Sequence, residues 1–150
     1  MDLGNILKEF GQATGLGPLA LDGNNLCRLV FDGNLTVDIE LLPDGRRFYV
    51  HAVVGPLPGS GGPDLLRSLL GANLFGRETG GAVLALDPDL DELLLFREFD
   101  AAATDYDAFV AALEALLNAL ERWRKVLAAG QYERPTNQPF RPLGDMMIRA

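Results

Sequence analysis

Leu26-Cys27-Arg28-Leu29-Val30-Phe31-Asp32-Gly33-Asn34-Leu35-Thr36-Val37-Asp38-Ile39-Glu40-Leu41 reads as two strands joined by a tight turn. Asp32-Gly33-Asn34 supplies residues that accept left-handed backbone, which is hairpin chemistry. Beyond the turn, Leu35, Val37, Ile39 and Leu41 alternate with Thr36, Asp38 and Glu40, so one face is apolar and the other wet. Pro43-Asp44-Gly45 turns the chain again. A third strand follows from Arg47 to Val54, with Phe48, Val50, Ala52 and Val54 on one face. This is an antiparallel three-strand meander, and it needs helices to cover its apolar side.

Helices flank it in the sequence. Before it, Leu3, Ile6, Leu7 and Phe10 fall on one face of a short helix that Asp2 caps and Gly15, Gly17 and Pro18 end. After it, a Pro/Gly/Ser connector spans Gly55 to Gly62, and Pro63 suits a helix first turn. The spacing predicts a helix from Asp64 to about Leu74, with Leu65, Leu66, Leu69, Leu70 and Leu74 covering a broad arc. A fourth strand from Ala82 to Leu86 and a fifth from Leu93 to Phe99 are joined by Asp87-Pro88-Asp89. The Leu93-Leu94-Leu95-Phe96 run is apolar on both faces, which fits a strand shielded on its second side. Thr104 is expected to open the last helix, with Asp107 completing a capping box. Phe109, Leu113, Leu116, Leu120, Trp123 and Leu127 repeat at helical spacing, Arg122, Arg124 and Lys125 complement the helix dipole, and Gly130 stops it. The order is helix, three strands, helix, two strands, long helix: an α+β fold in one domain, residues 1–130. Residues 131–150 hold three prolines and no helical period, so they read as an extended or disordered tail that is dispensable for folding.

The chain has 150 residues and a net charge of −8, from 21 acidic against 13 basic side chains. Its two lysines, Lys8 and Lys125, cannot form the clustered positive surface that nucleic acid or an anionic membrane requires. The N-terminal segment lacks the basic-then-apolar pattern of a secretory signal, and no stretch has the ~20 apolar residues of a membrane span.

No residue pattern points to covalent chemistry. His51 is the sole histidine and reads as a strand residue on the wetter face; a small hydrolase built on it is the weakest reading. Cys27 is the sole cysteine, so neither a disulfide within the chain nor a cysteine-based zinc site is available, and a buried small hydrophobe is expected. Gly59-Ser60-Gly61-Gly62 precedes a helix but lacks the Lys-Ser/Thr ending of a phosphate loop. Asp87, Asp89, Asp91 and Glu98 are spaced like calcium ligands, yet Glu92 stands where the sharp turn needs glycine. Neither metal nor cofactor is expected. What stands out is surplus apolar surface on the second helix and fifth strand, which points to an interface.

The stretch Leu69-Leu70-Gly71-Ala72-Asn73-Leu74-Phe75-Gly76-Arg77-Glu78-Thr79-Gly80-Gly81-Ala82-Val83-Leu84-Ala85-Leu86-Asp87 resembles the class I type III secretion chaperones, the Tir-chaperone family. Element order, size and acidity match too, over about residues 1–128. The resemblance implies a bacterial cytoplasmic homodimer without enzymatic activity. It would bind the N-terminal region of a secreted effector in non-globular form and keep it soluble until a secretion ATPase receives it. It maps a dimer interface onto Leu65, Leu66, Leu69, Leu74, Phe75, Val83, Leu84 and Leu95. It maps effector grooves onto Leu3, Ile6, Phe10, Val37, Ile39, Phe48 and Val50. The alternative is an adaptor or ligand-sensing α+β domain that binds some other protein.

Overall fold

The computed structural model describes residues 2–130, 132 and 139–150. Helix α1 (Leu3–Thr14) leads into strands β1 (Leu26–Phe31), β2 (Leu35–Leu41) and β3 (Arg47–Pro56). Helix α2 (Gly62–Asn73) and a 3-10 turn (Leu74–Gly76) precede β4 (Val83–Asp87) and β5 (Glu92–Asp100). Helix α3 (Tyr106–Ala129) is followed by a two-residue strand, β6 (Ile148–Arg149). The sheet is antiparallel, in the order β4-β5-β3-β2-β1-β6.

The meander forms as its turns dictate. Asp32 and Gly33 both take positive φ, at 51° and 74°, as the central residues of a tight turn that Asn34 N–H closes on the Phe31 carbonyl at 3.1 Å. Cys27, Leu29 and Phe31 of β1, Val37 and Ile39 of β2, and Phe48, Val50 and Ala52 of β3 all point into one core. Helix α3 closes that face, and α1 packs against α3. Phe10 meets the edge of Phe109 at 6.0 Å, while Phe48 stacks on Phe99 at 4.9 Å. The opposite face is a polar ladder. Arg28 forks onto Asp38 with two 2.7 Å bonds, Tyr49 donates to Glu98 at 2.8 Å, and His51 Nε2 lies 3.4 Å from Glu40. Strand β5 lies between β4 and β3, and Phe96 on its open face is sheltered edge-on by Tyr49 at 5.7 Å. Cross-strand cover of this kind is why β5 is apolar on both faces.

Helix ends follow the side chains nearby. Asp2 caps α1 by accepting from Asn5 N–H at 2.9 Å, and Gly15 closes it in left-handed conformation. At α3 the cap is Asp105, accepting from Ala108 N–H at 2.8 Å, and not Thr104. The Thr104 hydroxyl donates back to the Asp100 carbonyl at 2.6 Å, which leaves its neighbour to cap. Arg122 and Arg124 also differ from expectation, because neither lies in the last turn. They tie α3 sideways: Arg122 donates to the Glu78 carbonyl at 2.7 Å, and Arg124 to the carbonyls of Asn34 at 2.8 Å and Val53 at 2.9 Å. A bulge in β3 at Val53 to Gly55 interrupts the register where Arg124 makes that last bond.

Residues 139–150 of the expected extended or disordered tail dock on the body. Strand β6 adds to the outer edge of β1, pairing Arg149 with Val30 and Ile148 with Phe31. Leu143 and Met146 enter the core. Three apolar side chains at irregular spacing carry no helical or strand period, yet they fit a slot that the rest of the chain has built. The portion of the expected tail at 131 and 133–138 lies outside the described residues.

Candidate functional site

Helix α2 has two faces. Leu65, Leu69 and Ala72 enter the core, whereas Leu66 and Leu70, four residues apart, face solvent. The exposed row continues to Leu74 and Phe75 in the 3-10 turn and is joined by Val83 and Leu86 on β4. Leu70 is 73% exposed and Phe75 85%. Leu66, Leu70, Leu74 and Phe75 form an exposed apolar row, and Val83 and Leu86 add exposed apolar area on opposite faces of β4, more than scattered surface hydrophobics require.

The turn after α2 is built to hold this edge in place. The Asn73 amide donates to the Leu84 carbonyl at 2.9 Å, and its carbonyl accepts from Leu84 N–H at 2.8 Å. A side chain thus stands in for a strand partner and welds α2 to β4. Thr79 is fully buried, its hydroxyl donating to the Ala82 carbonyl. The Glu78 carbonyl takes Trp123 Nε1 at 2.9 Å as well as Arg122. Phe75 has φ 53° and ψ 23°, a left-handed backbone costly for an aromatic residue. The fold therefore holds a phenyl ring in water on strained backbone, an arrangement that a partner's apolar pocket would repay.

Gly80 explains the glycine pair. It sits at φ +62°, and a Cβ there would lie 2.7 Å from the Ala115 carbonyl oxygen of α3. Gly80→Ala is expected to cost about 2–3 kcal/mol, from left-handed strain plus overpacking against backbone that cannot retreat. The denaturant midpoint at unchanged slope measures it.

The expected interface residues separate into two sets. Leu66, Leu74, Phe75 and Val83 are on the exposed edge, while Leu65, Leu69, Leu84 and Leu95 are buried within the chain itself. Leu70 and Leu86 belong to the edge and were missing from the expected set; the four-residue step from Leu66 signals Leu70. The residues expected to line effector grooves are buried within this chain. Leu3, Ile6, Phe10, Val37, Ile39, Phe48 and Val50 are all at or below 2% exposure. The physical reason is that α1 has a single apolar stripe, and packing on α3 within the common core buries it.

The remaining candidates resolve into structural roles. Burial pushes the Cys27 thiol up, with Asp22 and Asp38 adding to the rise, so it stays protonated and packs as a hydrophobe. The Asp87 carboxylate accepts from the Asp89 and Leu90 amides at 2.9 and 3.2 Å, which makes the calcium-like spacing a hairpin turn. Among the described residues, no group of three His, Cys, Asp or Glu side chains could hold a metal ion. No helix among them is long and apolar enough to cross a membrane.

A sheet closed on one face, with a rigid apolar edge left open beside it, defines a protein-binding module. The chain belongs to the Tir chaperone protein (CesT) family, whose description matches residues 5–124. It is 31% identical to a protein of Chlamydia pneumoniae over 131 residues, covering 86% of this chain and 98% of that protein. It is 25% identical to the Tir chaperone of Citrobacter freundii over 122 residues, covering 81% and 77% respectively. Among solved structures, a chain of the ExsC–ExsE complex superposes with a TM-score of 0.69 at 28% identity, covering 85% of this chain and 97% of that one. The HopA1–SchA chaperone–effector complex shares the fold, with a TM-score of 0.68 at 17% identity over 81% of this chain and 91% of that chain. The chain is a chaperone of the type III secretion class, and family and neighbours point to a non-catalytic protein.

Proposed function

We propose that this chain works in the bacterial cytoplasm as a homodimer that holds the N-terminal region of a type III secreted effector in extended form. It keeps that region soluble and delivers it to the secretion apparatus, where the secretion ATPase receives it. The observation that carries the reading is the apolar edge of Leu66, Leu70, Leu74, Phe75, Val83 and Leu86, on a chain whose own core closes without it. A second copy offering the same edge would cover both by two-fold symmetry.

The stripe of α1 is buried within the chain, which favours the sheet edges as the place where an extended segment adds. The β4 edge is capped by Asn73 and flanked by α2. Among the described residues, the β1 edge is covered by the two residues of β6 and by Met147, whose carbonyl accepts from Asp32 N–H. Strand addition at β1 supplies backbone pairing without demanding a fixed sequence, which suits a chaperone for an unfolded region. The acidic chain also steers basic segments toward it.

The test is co-purification of the full-length tagged chain from its native cytoplasm, with the companion protein identified by mass spectrometry. The expected companion is a secreted effector bound through its N-terminal region to two copies of the chain. A stable companion that is never secreted would replace this reading with the adaptor.

A further inference from the structure

The tail lies where an added strand would lie. The Leu26 carbonyl accepts from Asp22 N–H at 2.8 Å, and Asp32 N–H donates to the Met147 carbonyl at 2.7 Å. Both ends of β1 therefore turn these groups away from β2, and with a period of two Arg28 and Val30 do the same. The open edge runs from Arg28 to Asp32, and the tail covers its Val30-to-Asp32 part.

Three elements build a slot around the tail. From α3, Asn118 accepts from Arg141 N–H at 2.8 Å and donates to the Arg141 carbonyl at 2.9 Å. One turn earlier, the Glu114 carboxylate accepts from Leu143 N–H at 3.0 Å. From the β1–β2 turn, Asp32 takes Arg141 at 2.8 Å on one oxygen and Met147 N–H at 3.1 Å on the other. Glu121 adds a second carboxylate 3.7 Å from the same guanidinium. Beneath the slot the core takes up Leu143 and Met146, each 8% exposed, and Ile148 packs against it. The slot thus holds a peptide with an arginine, a 3-10 turn over Leu143–Asp145 and a short extended end, with apolar residues two, five and seven positions after the arginine.

The hold is slight. β6 pairs with two residues of β1, against six pairs between β1 and β2. The ion pairs of Arg141 are partly exposed, a setting in which such pairs add little. Phe140 and Met147 stay in solvent. The tail also lies outside the family match, which ends at residue 124.

We propose that residues 139–150 are a built-in occupant of the cargo strand site, displaced by an extended segment that carries a basic residue ahead of apolar ones. This rests on the reading of the chain as a binder of extended effector segments. The tail shields the β1 edge from unwanted strand pairing while no cargo is present, and it sets a threshold that cargo must exceed.

The experiment uses the full-length chain in three forms: unaltered, opened by Arg141→Glu with Met146→Asp, and locked by Val30→Cys with Arg149→Cys. The locked pair faces across the β1–β6 ladder within disulfide reach. The first probe is a labelled synthetic peptide copying residues 139–150. It is expected to bind the opened form, to bind the unaltered form at least tenfold more weakly, and to ignore the oxidised locked form until a reductant is added. Equal binding to opened and oxidised locked forms, or binding to none, overturns the proposal. The second probe is the secreted protein identified by co-purification. Oxidation of the locked form should weaken its binding at least tenfold, reversibly. Unchanged binding overturns the tail's role while the chaperone reading stands. Recovery of no secreted protein overturns the reading itself, and the peptide results then decide the slot alone.

Discussion

Leu70→Asp is expected to yield a folded monomer where the unaltered chain forms a dimer, at a loss of ~3–5 kcal/mol of association free energy. Leu70 is the most exposed leucine on α2, so its replacement removes little packing within the chain. In a two-fold dimer the substitution occurs twice in one interface, and each carboxylate must be desolvated against apolar side chains or take up a proton. The corresponding change in dissociation constant is about two to four decades. Analytical ultracentrifugation across a dilution series reads it, and an unchanged thermal transition of the monomer shows that folding is intact. A protein that stays dimeric after the change places the interface on another face. The contrast is Leu69→Asp, one position earlier. Leu69 is buried inside the chain, so that variant loses the fold and not merely the partner.

The comparison of Leu69 with Leu70 shows what was legible in the sequence. A helix with leucines at 65, 66, 69, 70 and 74 announces two apolar faces, because one core needs only one stripe. Which stripe the chain buries for itself depends on where β4 and the 79–82 turn press against the helix, a tertiary fact. The meander was legible residue by residue, since alternation, Asp32-Gly33 and Pro43-Asp44-Gly45 are local signals. The roles of Asn73, Thr79 and Trp123 were not. Each bonds backbone that is distant in sequence or sealed in a turn, and side-chain periodicity carries no trace of that. The tail escaped for a related reason: Arg141 and Asp32 are far apart along the chain and meet only once the sheet edge exists. The α1 stripe misled in the opposite sense. The resemblance assigned Leu3, Ile6 and Phe10 to a groove, but in this chain they are buried in the core where α1 packs on α3.

Phe10→Ala is expected to cost ~3–5 kcal/mol of stability and to leave cargo affinity per folded molecule unchanged. The side chain has no solvent exposure. Its ring meets the edge of Phe109, which in turn lies 6.3 Å from Phe48 and 6.4 Å from Phe99, so truncation opens a hole in a four-ring cluster. The neighbours cannot collapse into it easily. Phe48 and Phe99 are fixed by strand pairing, and Phe109 by a 24-residue helix. Helix α1 has only 12 residues and is marginal without that anchor, so the loss extends beyond the cavity to the helix itself. For a chain of this size the thermal midpoint should fall by about 10 °C or more. Calorimetry and effector titration on the same variant separate the two roles of α1. Preserved stability with lost affinity would mean that α1 lifts from the core when cargo binds, giving Phe10 a second partner in place of Phe109. Lost stability with retained affinity leaves α1 as the clamp that holds the core closed, and the sheet edge as the place where cargo is read.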